Sequence, residues 1–234
     1  MPVKPKIVVS ACLAGENVRY DGKPVEDEFS QKLIRYTEVI KVCPEVELGL
    51  GVPRDRVIVY LQGTELRLSQ PSTGLELTEK MSQFSKGFLE QLPEVDGFLL
   101  KSKSPSCGVS RTKTYGDSKG EHYRGLGKGL FASEVLKRFP HLPVEDELRL
   151  RSYRVRLLFT LSLFALAYVR ERSAEEFHRR FGEQLRYFLP RLERKLRRAD
   201  THTYRKLLLK VFGGLPTGVL NTLAQKLVPP NLLP

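Results

Sequence analysis

Lys6-Ile7-Val8-Val9-Ser10-Ala11-Cys12-Leu13-Ala14-Gly15 is the stretch whose reading decides the fold. Its β-branched run spells a buried strand, because Val and Ile pack well on a pleated surface. A cysteine follows that strand by two residues. Residues 26–37 then read as a helix with Phe29, Leu33 and Ile34 on one face. Val39-Ile40-Lys41-Val42 is a second strand. Strand, helix and strand at this spacing make a βαβ unit, which calls for a parallel sheet. Further along, 57–61 and 65–68 flank Gln62-Gly63-Thr64 as a hairpin. Thr78 caps a helix running to about residue 92, Gly97-Phe98-Leu99-Leu100 is another strand, and 126–139 contains another helix. Residues 1–150 are thus expected to be an α/β domain, a mostly parallel sheet with flanking helices.

The cysteines fall on this map in one pattern. Cys12 lies just past the first strand, Cys43 ends the second, and Cys107 sits in the loop Lys101-Ser102-Lys103-Ser104-Pro105-Ser106-Cys107-Gly108 after the strand at 97–100. Carboxyl ends of parallel strands share one edge, where ligands bind, so three distant thiols are expected to converge. Free cysteines are most often small buried hydrophobes, but these lie in loops beside Gly, Pro and Ser. Three is an odd number, which speaks against a disulfide framework. Thiolates suit iron–sulfur clusters, zinc or copper(I). A structural zinc wants four closed ligands, and of the four histidines only His122 is near a cysteine loop. Three ligands on a four-iron cluster leave one iron open. Spacing alone does not separate a cluster from a catalytic zinc.

The chain has 234 residues, 41% of them hydrophobic, enough for a real core and against disorder. The longest apolar run, 157–169, is short for a membrane span and flanked by arginines, so it reads as a buried helix. No signal-peptide core follows the basic start, which predicts a cytoplasmic protein with no membrane partner. Charge is unevenly spread. Residues 151–234 hold 17 Lys and Arg against 6 Asp and Glu, and so carry +11 of the net +12. That asymmetry points to a polyanion. The pattern there is helical: 153–172, then a helix capped by Ser173 with Glu176 completing a capping box, interrupted at Pro190, a basic helix at 191–198, then 204–212 and 217–227. A small all-α domain of about four helices is expected over 151–234. Its candidate phosphate contacts are Arg179, Arg180, Arg186, Arg191, Arg194, Lys195, Arg197 and Arg198, continued by Arg205 and Lys206.

Several loops carry a resemblance. Val9-Ser10-Ala11-Cys12-Leu13-Ala14-Gly15 with Val18-Arg19-Tyr20-Asp21-Gly22, Val42-Cys43-Pro44-Glu45-Val46 with Gly49-Leu50-Gly51-Val52-Pro53-Arg54, the Cys107 loop, and Pro143-Val144-Glu145-Asp146-Glu147 resemble the thiouracil desulfidase family. The likeness covers roughly residues 5–150 and departs at Leu148-Arg149-Leu150-Arg151-Ser152, where the family has Gly before Arg-Leu, then Asn and Asp. The resemblance implies an α/β fold and an oxygen-sensitive 4Fe-4S cluster on Cys12, Cys43 and Cys107. It also implies replacement of a pyrimidine's thiocarbonyl sulfur by oxygen without net redox change. Glu45, two residues past a ligand, is then the expected base, and Ser104 the group that orients substrate. Asp21, Arg54 and Lys101 are weaker candidates for substrate contact or sheet-edge support. The remainder resembles, more loosely, the YbgA-like domain, on Phe177-His178 and Asn221-Thr222-Leu223. A free base needs no basic surface, so the expected substrate is 4-thiouridine in tRNA, swung out of its stack to reach the cluster. The alternatives are a desulfidase of free thiouracil or thionucleosides, and a cluster-bearing RNA sensor. No protein partner is inferred.

Overall fold

The computed structural model describes residues 3–233. Strand β1 (Lys6–Ser10), helix α1 (Glu28–Arg35) and strand β2 (Glu38–Val42) form the expected βαβ unit. A single turn, α2 (Pro44–Glu47), follows. Then come β3 (Ile58–Gln62), β4 (Glu65–Gln70), β5 (Leu75–Glu76), α3 (Thr78–Gln91), β6 (Gly97–Leu100), β7 (Thr112–Tyr115), β8 (Tyr123–Gly127), α4 (Leu130–Arg138) and β9 (Val144–Asp146). β1 sits inside a four-stranded sheet of order β2-β1-β6-β9, and every pairing in it is parallel. The hairpin β3–β4 belongs to a second, five-stranded sheet of order β5-β4-β3-β7-β8, where only β3 and β7 run parallel. The sequence reading had the first sheet and the hairpin but not the separation into two sheets.

Alternation along β1 and β6 splits the core in two. Ile7, Val9 and Leu99 point into a cluster with Leu33 of α1 and the helices after residue 150. Val8, Phe98 and Leu100 point the other way, onto Phe131 and Val135 of α4, Met81 and Leu89 of α3, and Val57, Val59 and Leu68 of the second sheet. The parallel sheet is therefore covered on both faces, as such sheets require.

Among the described residues five α-helices follow residue 150, against about four expected: α5 (Tyr153–Glu171), α6 (Ala174–Phe188), α7 (Pro190–Arg197), α8 (Thr201–Gly214) and α9 (Thr217–Leu227). α5 is buried along most of its length and lies directly under the sheet, confirming the buried-helix reading of 157–169. A Cβ added at Gly97 on β6 would come within 2.5 Å of Leu163 Cδ2, so glycine is what lets strand and helix approach. Asp96, with no exposed surface, accepts from the Lys6 amide, Arg170 and Arg205. Arg205 is accordingly not a free phosphate contact. Its guanidinium is buried against Asp96, Glu94 and the Val95 carbonyl. Among the described residues no helix is long and apolar enough to cross a membrane.

Several local signals read differently in three dimensions. Thr78 does not cap α3; its hydroxyl accepts from the Leu68 amide and so ties the helix to β4. Pro190 does interrupt the helix, as expected, and opens the next one at the position where a missing N–H costs nothing. Ser173 does cap α6, accepting from the Glu176 amide, but the Glu176 carboxylate takes the Tyr168 hydroxyl and leaves the capping box half made.

Candidate functional site

The three thiols meet. Cys12, Cys43 and Cys107 all line one cavity of about 560 Å3 at the carboxyl edge of the parallel sheet. Adjacent strands β2, β1 and β6 deliver them, so neighbours in the sheet become neighbours in the site. The Cys107 loop is held against α4. The amides of Leu130 and Ala132 donate to the carbonyls of Pro105 and Ser106, which satisfies donors that a helix start otherwise leaves open. A Cβ at Gly129 would lie 2.4 Å from the Ser106 oxygen, so the contact needs glycine. Within the loop, Lys103 holds a left-handed backbone (φ 59°), strain of a kind tolerated where surroundings fix the chain.

Burial makes these poor thiolates on their own. It pushes the Cys12 thiol up to about 12 and raises Cys43 and Cys107 as well. Each sulfur nevertheless has partners that favour negative charge. Lys101 and Arg19 face Cys12. The Val46 amide and Arg54 Nη2, at 4.0 Å, face Cys43. The Ser10 hydroxyl, which accepts from the Lys101 amide, acts to lower Cys107. Donors arranged around these three sulfurs fit metal-bound thiolates better than thiols. One zinc, with Zn–S bonds of about 2.3 Å, would hold its sulfurs within roughly 4 Å of each other. Among the described residues, the group whose ligand atoms all come within 4.8 Å is Asp117, Glu121 and His122 on an exposed turn, not the thiols. Three soft donors on one cavity are the set that an iron–sulfur cluster takes from a protein.

Around the thiols lie two buried ion pairs. Glu45 lines the cavity, with Oε2 accepting from Arg54 Nε at 2.9 Å and Nη2 at 2.7 Å, and Oε1 accepting from the Ser106 hydroxyl at 3.0 Å. Arg54 also donates to the carbonyls of Val18 and Gly51. Its fork is thus committed within the protein, where it holds Glu45 in place at the cavity wall. Lys101 Nζ sits 2.6 Å from Glu147 and also donates to Ser102, which makes it support for the sheet edge. Burial acts to raise the Glu147 carboxyl, but hydrogen bonds from Lys101 and Ser102 outweigh it and hold the group below the usual range. Ser104 Oγ accepts from the amides of Ser106 and Cys107, which leaves its proton to offer to the cavity. Asp21 is displaced from the expectation. It does not line the cavity but pairs with Arg19, which does.

Ser10, Arg19 and Glu147 were missed by the sequence reading. Glu147 directly follows β9, the fourth parallel strand, so the rule that found the cysteines would have found it had that three-residue strand been recognised. The basic residues of α6 and α7, in contrast, are where they were expected. Arg179, Arg180, Arg186, Arg191, Arg194, Lys195, Arg197 and Arg198 are all exposed, with Arg197 also pairing with Glu193. His178 is a packing residue, bonded to Glu193 at 3.0 Å and lying against Tyr204.

Three strand-end thiols and a buried carboxylate on one cavity of an α/β protein make the donor set of a metal–thiolate site. The profile of the 2-thiouracil desulfurase family matches residues 7–147, and the chain belongs to that family. It is similar to the uncharacterized protein YbbK of Bacillus subtilis (strain 168), 30% identical over 111 residues, 44% of this chain and 72% of YbbK. Among solved structures it is similar to the [4Fe-4S]-dependent thiouracil desulfidase TudS, with 31% identity, 63% of this chain and 94% of that chain covered, and a TM-score of 0.47.

Proposed function

We propose that the protein is a desulfidase that replaces the thiocarbonyl sulfur of 4-thiouridine in tRNA by oxygen, with residues 1–150 holding the chemistry and 151–234 holding RNA. One observation carries the chemical part: three thiols from separate strands line one cavity together with Glu45 and Ser104. Cys12, Cys43 and Cys107 would hold a 4Fe-4S cluster. When bound, such a cluster supplies an iron without a protein ligand, a soft Lewis acid suited to a thiocarbonyl sulfur.

The chain's own residues do the rest. Glu45, fixed by Arg54 and Ser106, takes a proton from the water that attacks the ring carbon. Ser104 donates its proton to a ring heteroatom and holds the base in plane. Arg19 and Lys101 offset the negative charge of the ligand set. The balance is simple. Water supplies the oxygen, sulfur leaves as hydrosulfide, and no electron is gained or lost. The exposed cations of α6 and α7 support the RNA part, since arginine forks bind phosphates without reading sequence.

Nucleoside analysis of bulk tRNA before and after anaerobic incubation with the reconstituted full-length chain tests the whole reading. Loss of 4-thiouridine with matching gain of uridine is expected. Intact 4-thiouridine alongside sulfide release from free thiouracil would restrict the enzyme to the small base.

A further inference from the structure

The wall of the cavity opposite the thiols comes from the second sheet, and its side chains are of another kind. Lys113 and Tyr115 on β7 share a face with their cross-strand partners Leu126 and Tyr123 on β8, while Thr112 and Thr114 turn to the buried side. Lys113, Tyr115 and Leu126 line the cavity, and Tyr123 lies edge-on to Tyr115. Tyr123 is 58% exposed and Leu126 60%, unusual for a large aromatic and a large aliphatic side chain. Arg56 stands over Tyr115, and Arg111 and Lys103 join it on the cavity lining. Arg54 and Lys101 deeper in the cavity are ion-paired, but Arg56, Lys103, Arg111 and Lys113 have no ion pair among the described residues.

Unpaired cations interleaved with an exposed aromatic on a two-stranded edge ribbon are what a flexible nucleic-acid strand needs. Cations track the phosphates, and the ring stacks on a base of any identity. We infer that the β7–β8 ribbon, with Arg56, Lys103 and Arg111, is an RNA-docking surface at the cavity mouth. It holds the nucleotides flanking the one whose base enters, with Tyr123 stacked on a neighbouring base. This rests on the RNA reading above. It adds a second contact surface, separate from α6 and α7, that acts on single-stranded RNA next to the chemistry.

Anisotropy of a fluorescein-labelled uridine-rich RNA hexamer, titrated with the full-length chain at several salt concentrations, tests it without relying on turnover. Tyr123→Ala should weaken the hexamer about 10-fold while Tyr123→Phe binds like wild type, because stacking is kept. A combined Arg56→Ala, Arg111→Ala, Lys113→Ala variant should lower the salt slope by about 2. Arg191→Glu with Arg194→Glu should weaken whole tRNA but spare the hexamer.

Equal hexamer binding by wild type, Tyr123→Ala and the combined variant would overturn the ribbon and leave the proposed tRNA substrate standing. Absence of any RNA binding by wild type would overturn both. UMP displacing the hexamer as well as unlabelled hexamer does would mean that only the substrate's own phosphate is held there, which also overturns the ribbon. So would a Leu126→Glu variant that changes sedimentation but not RNA binding, since the face would then join two copies.

Discussion

The two walls of the cavity are built on opposite plans. On the parallel-sheet side almost every polar group is engaged by another: Glu45 by Arg54 and Ser106, Lys101 by Glu147, Ser104 by two amides. On the β7–β8 side the cations are open to solvent, and Tyr123 and Leu126 are exposed. Under the proposed function, the difference matches what each wall would do. Soft ligands and a base have to be held to fractions of an ångström, which buried charge networks achieve. A charged polymer has to come and go, which needs groups whose hydration is easily exchanged.

Removing a thiol breaks this contrast most severely. Cys107→Ser should weaken iron affinity by more than about 100-fold, since even partners of ligands are worth about 10–100-fold in metal affinity. Lys113→Ala across the cavity should leave iron content unchanged; a metal assay on both settles it. Next comes Glu45→Gln, expected to slow sulfide release by about 10²–10⁴-fold with iron retained, the range for a lost general base. Normal turnover in that variant would move the base elsewhere. Arg54→Met leaves Glu45 buried without its partner and should cost about 3–5 kcal/mol in urea unfolding of the metal-free chain. Arg111→Met, exposed on the other wall, should change stability by less than about 0.5 kcal/mol.

The smallest effect sharpens the comparison through pH. Glu147 has a lowered carboxyl in the folded chain, so its contribution is present above its ordinary value of 4.5 and fades as pH falls through the lowered one. Glu147→Gln should therefore lose about 2 kcal/mol at neutral pH, the scale of hydrogen bonds to a buried charge. The gap from wild type should close as pH drops below about 4.5 in a series of urea melts.

How much of this was legible depended on which wall is considered. The cysteines could be placed because apolar runs at 6–10, 39–42 and 97–100 mark strands clearly, and parallel topology does the rest. β7 reads Thr-Lys-Thr-Tyr and β8 Tyr-Arg-Gly-Leu-Gly, with no apolar alternation, because their inward positions are threonines and glycines rather than valines. The whole second wall therefore escaped notice. Arg54 and Asp21 were seen as cavity groups, but their partners are fixed by tertiary contacts that no local pattern encodes. Arg205 differs in no visible way from Arg198 in the sequence, and what buries it is Asp96, 109 residues away.

The seating of α5 beneath β1 and β6 has a consequence for how the molecule must be handled and inherited. Cutting the chain after residue 150 would strip Ile7, Val9 and Leu99 to water and orphan Asp96, producing an insoluble fragment whose inactivity would say nothing about nucleic acid. Head and tail are expected to melt in a single calorimetric transition. A lineage carrying this pairing could not shed the helices one by one without first rebuilding the underside of its catalytic half.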